Sequence, residues 1–174
     1  MVGEGPRARD LSYEAVILRE ATLDDEARFE SIDLGQDRSP WLDEVCEIVS
    51  GLVAWRSDEE HRHLDRQVVV AEVNGEIVAV AAHELIEHDR LGALHEHRYL
   101  MVVAVRADYQ RSGVARVVAE SVFVEMQGDG VRTVRWLVHP RNQRSISSSR
   151  AVFPEADETH PPEDRPYASF VLAL

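Results

Sequence analysis

The residues whose types and spacing could do chemistry cluster in one stretch, 103–115, which reads Val-Ala-Val-Arg-Ala-Asp-Tyr-Gln-Arg-Ser-Gly-Val-Ala. A β-rich run passes through a short turn into an apolar run of helical period, so Gln110, Arg111, Ser112, Gly113, Val114 and Ala115 fall at a helix start. The first N–H groups of a helix lack intrahelical partners, and with the helix dipole they form an anion site. Gly113 lets the backbone approach a phosphate closely, and Ala115 keeps the next turn small. Arg111 offers a charge-assisted contact. Taken alone, the same six residues also describe an ordinary helix start.

Other chemically suggestive groups carry less. His61-x-His63 and His95-x-His97 have the spacing that shares a strand face, as a pair of metal ligands can. No third ligand is identifiable, so they read as solvent-exposed histidines and no metal is expected. Asp24-Asp25-Glu26 reads as charge favoured at a helix start. Cys46 is the sole cysteine, which precludes an internal disulfide. Among apolar residues of a predicted helix, it reads as a buried, inert thiol.

The elements that must position the 103–115 stretch follow from pattern. Residues 15–19 read as a strand. Thr22 caps a helix over 23–32. Ser39-Pro40 opens a second helix to about residue 55, with Trp41, Leu42, Val45, Ile48, Val49 and Leu52 on one face. The charged stretch 58–66 reads as a loop or helix end. Gln67–Val73 and Glu76–Leu85 are β-rich runs joined through Asn74-Gly75, a hairpin turn signal. Residues 98–105 form a third such run. A helix over 114–127 carries the stripe Ala115, Val118, Ala119, Val122, Phe123 and Met126, and Gly128 is expected to end it in a left-handed conformation. Then come a strand over 131–138, a short helix over 142–150, a Pro-, Asp- and Glu-rich loop over 154–166, and a last strand over 167–174. This alternation predicts an α/β fold. Residues 1–12 read as a flexible arm and 13–174 as a single domain.

The net charge of −13 argues against a nucleic-acid binder and is compatible with drawing in a cationic substrate; it also fits an acidic surface that keeps the chain soluble. No apolar run reaches the roughly 18 residues of a membrane helix, and residues 1–10 lack a secretory apolar stretch. A cytoplasmic protein is expected.

The stretch 103–115 resembles the acetyl-CoA signature of the GNAT acetyltransferases, Gln/Arg-x-x-Gly-x-Gly/Ala after the fourth strand. Val138-His139-Pro140-Arg141-Asn142 is similar to the family's strand followed by an Asn that opens a helix, and the Asn74-Gly75 hairpin is similar to its second and third strands. The resemblance covers nearly the whole chain. It implies a mixed, mostly antiparallel sheet of six to seven strands, splayed between strands 4 and 5 and flanked by about four helices. It implies acetyl-CoA as co-substrate and no metal. The pantetheine arm would pair with backbone of Val103 and Val105, the pyrophosphate would rest on the N–H groups of Arg111 to Ala115 in the site that Gln110 opens, and Asn142 would contact the cofactor or fix its helix start. The amine would attack the thioester directly, with the Val103 or Val105 N–H polarising the carbonyl. The base candidates are His83 and Glu84, and Glu96 and His97; in each adjacent pair one side chain faces the substrate.

The sequence departs from the family where an acid is expected. Seven residues after Asn142 stands Ser149 instead of Tyr, and Val152-Phe153 replaces the usual Gly-Phe. Four readings stay open: Ser149 or Ser148 relays a proton through water, Tyr99 or Tyr167 substitutes, the thiolate leaves unassisted, or the protein is not catalytic.

Two functions therefore stand. One is an N-acetyltransferase acting on a primary amine of a small molecule or protein. The alternative is a non-catalytic acyl-CoA-binding regulatory module; a toxin or antitoxin-type partner protein of the same fold ranks last. The segments 33–39 and 154–166, which set the substrate in this family, are acidic on balance and suggest a cationic acceptor such as a polyamine, an aminoglycoside-like amine or a lysine. No nucleic-acid or membrane partner is expected. The apolar last strand, 170–174, could pair in a homodimer.

Overall fold

The computed structural model describes residues 16–30, 32–35, 40–57, 65–85, 97–159 and 167–174. The Val- and Ala-rich runs form the middle of its sheet, where both faces are covered. β1 (Ile17–Glu20) leads through a 3₁₀ turn, Leu23–Asp25, into the short helix α1 (Glu26–Glu30) and then α2 (Pro40–Ser57). β2 (Gln67–Val73) and β3 (Glu76–Leu85) form the predicted hairpin, with Asn74 and Gly75 both at positive φ. β4 (His97–Val105) is followed by α3 (Val114–Gly128), β5 (Thr133–Val138), α4 (Gln143–Val152), β6 (Asp157–Thr159) and β7 (Ala168–Ala173). The strand order is β1-β2-β3-β4-β5-β7-β6. Every neighbouring pair is antiparallel except β4 and β5, which run parallel.

The sheet has a core on each face. On one, α3 and α4 cover Ala79, Ala81, Leu100, Trp136 and Phe170. On the other, α1 and α2 cover Val68, Val70, Val80, Ala82, Val102 and Ala104. The β3–β4 register shifts between Ala82 and His83, which leaves Met101 as an extra residue of β4. A bulge of this kind lets two successive side chains share a face, and Met101 packs with Val102 on the α2 side.

Several expectations are corrected. The 23–32 helix divides into the 3₁₀ turn and five-residue α1. Gly128 lies inside α3; Gly130, at φ +82°, is the left-handed residue. There Gly130 N–H donates to Gln127 O (3.1 Å) and Val131 N–H to Met126 O (3.0 Å), which closes the helix and turns Val131 into the core. The 154–166 loop contains β6, a polar edge strand with no hydrophobic alternation to announce it. β6 covers the outer edge of β7 along Ser169, Phe170 and Val171, so that part of the edge is taken. Cys46 is exposed, not buried, because α2 turns Val49 and Leu52 inward and Cys46 falls on its outer side. Ala115 is likewise exposed, and Val114 takes its expected place in the core. No helix among the described residues is long and apolar enough to cross a membrane.

The acidic helix start does more than favour a dipole. Asp25 is 2% exposed and accepts from Arg19 (2.8 and 2.9 Å), from Arg28 (2.9 Å), and from the Thr22 N–H (2.9 Å) and hydroxyl (3.1 Å). Glu72 accepts from the same two arginines, so the cluster ties β1 and α1 to β2. The Arg19 guanidinium holds the Asp25 carboxyl far below the usual carboxylate range. Such a group contributes stability above the unfolded pKa of about 4 and loses it as the pH falls below that value. In denaturant titrations, Asp25→Asn is expected to cost about 3 kcal/mol at pH 7. The penalty should shrink as the pH is lowered toward 2; an equal penalty at both ends would contradict the ionic role.

Candidate active site

The sheet is whole on both sides of one gap. β4 and β5 pair over His97, Arg98 and Tyr99 against Thr133, Val134 and Arg135, and no further. Beyond that point the strands diverge while β5 stays paired with β7 along its length. Arg106 N–H donates to Val78 O (2.8 Å), so by the alternation of backbone groups Val103 and Val105 turn theirs away from β3 and into the gap. Consistent with this, Val105 O accepts from the Gln110 side chain (3.1 Å).

A cavity of about 390 Å³ occupies the gap and reaches both layers. From the α3–α4 side it is lined by Ala115, Arg116, Ala119, Asn142, Ser145, Ser148 and Ser149. From the α2 side it is lined by Val45, Ile48, Tyr99, Met101, Leu137, His139 and Tyr167, and Val103 lies between the two.

The signature loop reaches this cavity through Ala115 at its end. After the 3₁₀ turn Ala107–Tyr109, Arg111 (φ +66°) and Gly113 (φ +91°) are both left-handed. Gly113 is the N-cap of α3 and has no side chain to cap that end; the Val114 N–H makes a long contact to the Ser112 hydroxyl (3.4 Å), and the first turn still points its N–H groups outward. A Cβ built on Gly113 meets nothing within 4 Å, which means open space above it. The Gln110 side chain is spent inside the protein. Its Nε2 donates to Leu34 O (2.9 Å) as well as Val105 O, and its Oε1 accepts from Arg144 (3.1 Å). Asn142 caps α4, its Oδ1 accepting from the Ser145 N–H (3.0 Å), and also lines the cavity.

The proposed proton-transfer residues are not gathered there. Glu84, on the α2 face, accepts from Arg66, whose Nε lies at 2.9 Å. His97 is hydrogen-bonded to Thr133 through Nδ1, at the closed end of the gap. Neither lines the cavity. Glu96, His95, His61 and His63 lie outside the described residues. His83 points to the α3 face, 1% exposed, with Nδ1 accepting from Arg98 Nε (2.7 Å). Ser149 does reach the cavity, but its oxygen already accepts from Trp136 Nε1–H (3.0 Å). Trp136 and Arg144 were not singled out in the sequence. The signal for Trp136 was its place between Val134 and Val138 on the inward face of a strand.

A model described as the Acetyltransferase (GNAT) family matches residues 26–148. The chain belongs to the GNAT family. No curated protein matches it. Among solved structures, this GNAT chain is similar to an acetyltransferase from Thermus thermophilus (18% identity, TM-score 0.68, 92% of this chain and 97% of that one). It is also similar to the PaiA N-acetyltransferase of Thermoplasma acidophilum in complex with coenzyme A (10%, 0.68, 91% and 99%). A third is the ribosomal-protein-S18-alanine N-acetyltransferase of Escherichia coli (20%, 0.60, 91% and 92%). At these identities the likeness is one of fold.

His83 has a different consequence for this GNAT chain. Burial, reinforced by the Arg98 charge, pushes its pKa down to about 3. The unfolded histidine titrates near 6.5. The neutral, buried form therefore contributes stability that is complete above about pH 6.5 and is lost as the pH falls from there toward 3. Between pH 7.5 and 5.5, wild-type unfolding free energy should fall by about 1 kcal/mol more than that of His83→Gln, measured by denaturant titration. Parallel curves would remove His83 as the titrating group.

Proposed function

We propose that this chain is an acetyl-CoA-dependent N-acetyltransferase that moves the acetyl group to a primary amine by direct attack. The observation that carries the reading is the meeting of two features at one cavity: strand edges that part to free backbone groups, and an uncapped helix start with open space above Gly113. The first suits an extended amide-bearing arm and the second a pyrophosphate. The Thermoplasma acidophilum neighbour's complex with coenzyme A supports the same co-substrate here.

On this reading the N–H groups of Gly113, Val114 and Ala115 hold the pyrophosphate with help from Arg111, and Val103 and Val105 pair with the pantetheine amides. The Val103 N–H polarises the thioester carbonyl as the amine nitrogen attacks. The carbon–sulfur bond breaks, the thiolate takes a proton, and the amide forms. With Glu84 engaged by Arg66, and His97 by Thr133, the ammonium proton passes to water at the cavity mouth. The thiolate's proton comes from Tyr167, which lines the cavity edge-on to His139 (5.7 Å between ring centres) where β4 and β5 have separated. Ser149 could still donate its own proton, but an aliphatic hydroxyl is a far weaker acid than a phenol of pKa about 10. The absence of a phenol at position 149 favours the second reading, a binding module without turnover.

Two measurements test this. In calorimetry with acetyl-CoA, the wild type should bind at micromolar Kd. Gly113→Glu should abolish binding, while Gly113→Ala, strained by about 1 kcal/mol at positive φ, should retain it. Failure of the wild type to bind would leave the loop an ordinary helix start. In a thiol-release assay, Tyr167→Phe should lower kcat by about 100-fold with little change in KM. Ser149→Ala should stay within about threefold, and the reverse order would move the acid role to Ser149.

A further inference from the structure

The acceptor side of the cavity has a chemistry of its own. On β5, Val134, Trp136 and Val138 face α3 and α4, so by strand alternation Leu137 and His139 face the α2 layer. Met101 joins them there because of the β4 bulge, and Val45 and Ile48 approach from α2. Leu137 keeps 42% of its surface exposed, and Tyr99 and Tyr167 supply ring faces. Among the described residues, no carboxylate lines the cavity. Arg116 lines it from the α3 side, and it is paired with Glu120 of its own helix (2.6 Å). Glu84, which lies opposite the cavity residue Tyr99 across β3 and β4, is neutralised by Arg66.

We propose that the acceptor is a primary amine on an uncharged apolar body, an alkyl or arylalkyl monoamine, and not a polyamine or other multiply charged amine. This rests on the acetyltransferase reading above. One nitrogen loses its charge on reacting, so a monoamine carries no ionic group against the apolar wall. A second ammonium would sit against Leu137, Met101 and Ile48, where the described residues of the wall offer no counter-charge. The acidic surface draws cations in at long range, but it is screened over about 8 Å at physiological salt and does not supply that missing partner.

The test compares two acceptors that differ by one charge, n-heptylamine and 1,7-diaminoheptane, by thiol release at saturating acetyl-CoA. The monoamine should have at least about a tenfold higher kcat/KM. Equal values, or a preference for the diamine, would overturn the inference. Leu137→Glu, an exposed change, should narrow the ratio by about tenfold through the diamine, with acetyl-CoA Kd unaltered. A peptide with amino-terminal leucine forms a third arm; if it exceeds heptylamine, the apolar body is a chain end instead of a small molecule, and the chemistry stands. If neither amine releases thiol, their binding to the coenzyme A-loaded protein decides: the monoamine alone should bind, and binding of the diamine alone or of neither overturns the inference. Acetyl-CoA binding separates the failures. A protein that binds it and prefers the diamine loses only this inference, whereas one that does not bind it loses the proposed function as well.

Discussion

Everything at the candidate site depends on the early end of the β4–β5 pairing. A parallel pair in the middle of a sheet would normally satisfy every backbone group along its length. Here the register stops at Tyr99 and Arg135, while β3 and β7 continue to hold the two strands from outside. Of the backbone groups turned away from β3, Val105 O is taken by the Gln110 side chain, and Val103 lines the cavity. Burying such groups without partners is costly, so the gap is stable only where water or a ligand reaches it. The sheet pays for a binding edge by giving up its own continuity.

What keeps the gap from closing is packing on both faces. Under β5, Trp136 stacks on Phe170 (5.3 Å, 9° between planes) and meets Phe153 edge-on at 5.6 Å, while Phe153 lies 4.9 Å from Phe123 of α3. This aromatic group fixes β5 to β7, α3 and α4, so β5 cannot swing toward β4. Gln110 works from the other side. By bonding Leu34 O, Val105 O and Arg144 together, it holds the end of β4, the segment after α1 and the start of α4 in one arrangement. The signature residue that the sequence suggested for the cofactor serves with its side chain as a clamp, and its loop partners present backbone.

Much of this was legible in advance for identifiable reasons. Hydrophobic period and Asn74-Gly75 placed β2 and β3 to the residue, because two-sided burial and turn geometry leave little choice of register. The helix start at Gly113 was legible because few residues accept a positive φ. The failures share a different cause: they depend on partners distant in sequence. β6 exists because β7 lies beside it and because Glu158 pairs with Arg150. Asp25 is buried because Arg19 and Arg28 converge on it while also bonding Glu72, not because of its own helix. Glu84 and His97 have catalytic residue types, yet Arg66 and Thr133 hold them away from the cavity.

Position 149 shows how such coupling reshapes a site. A buried tryptophan needs an acceptor for its indole N–H, and at position 136 that acceptor is the Ser149 hydroxyl. The two residues are therefore one choice. A phenol at 149 would have to enter beside Trp136 and Phe153, where the rings already stand 5.6 Å apart, and would displace the small hydroxyl that satisfies the indole. With Trp136 in the core, the Ser149 oxygen is engaged as an acceptor and keeps only its own weakly acidic proton. The wall carries phenols on the opposite face, Tyr99 and Tyr167, the side on which Met101 and Leu137 also lie. Serine at 149 is thus matched to how β5 is packed, and by itself it does not decide whether the protein turns over substrate.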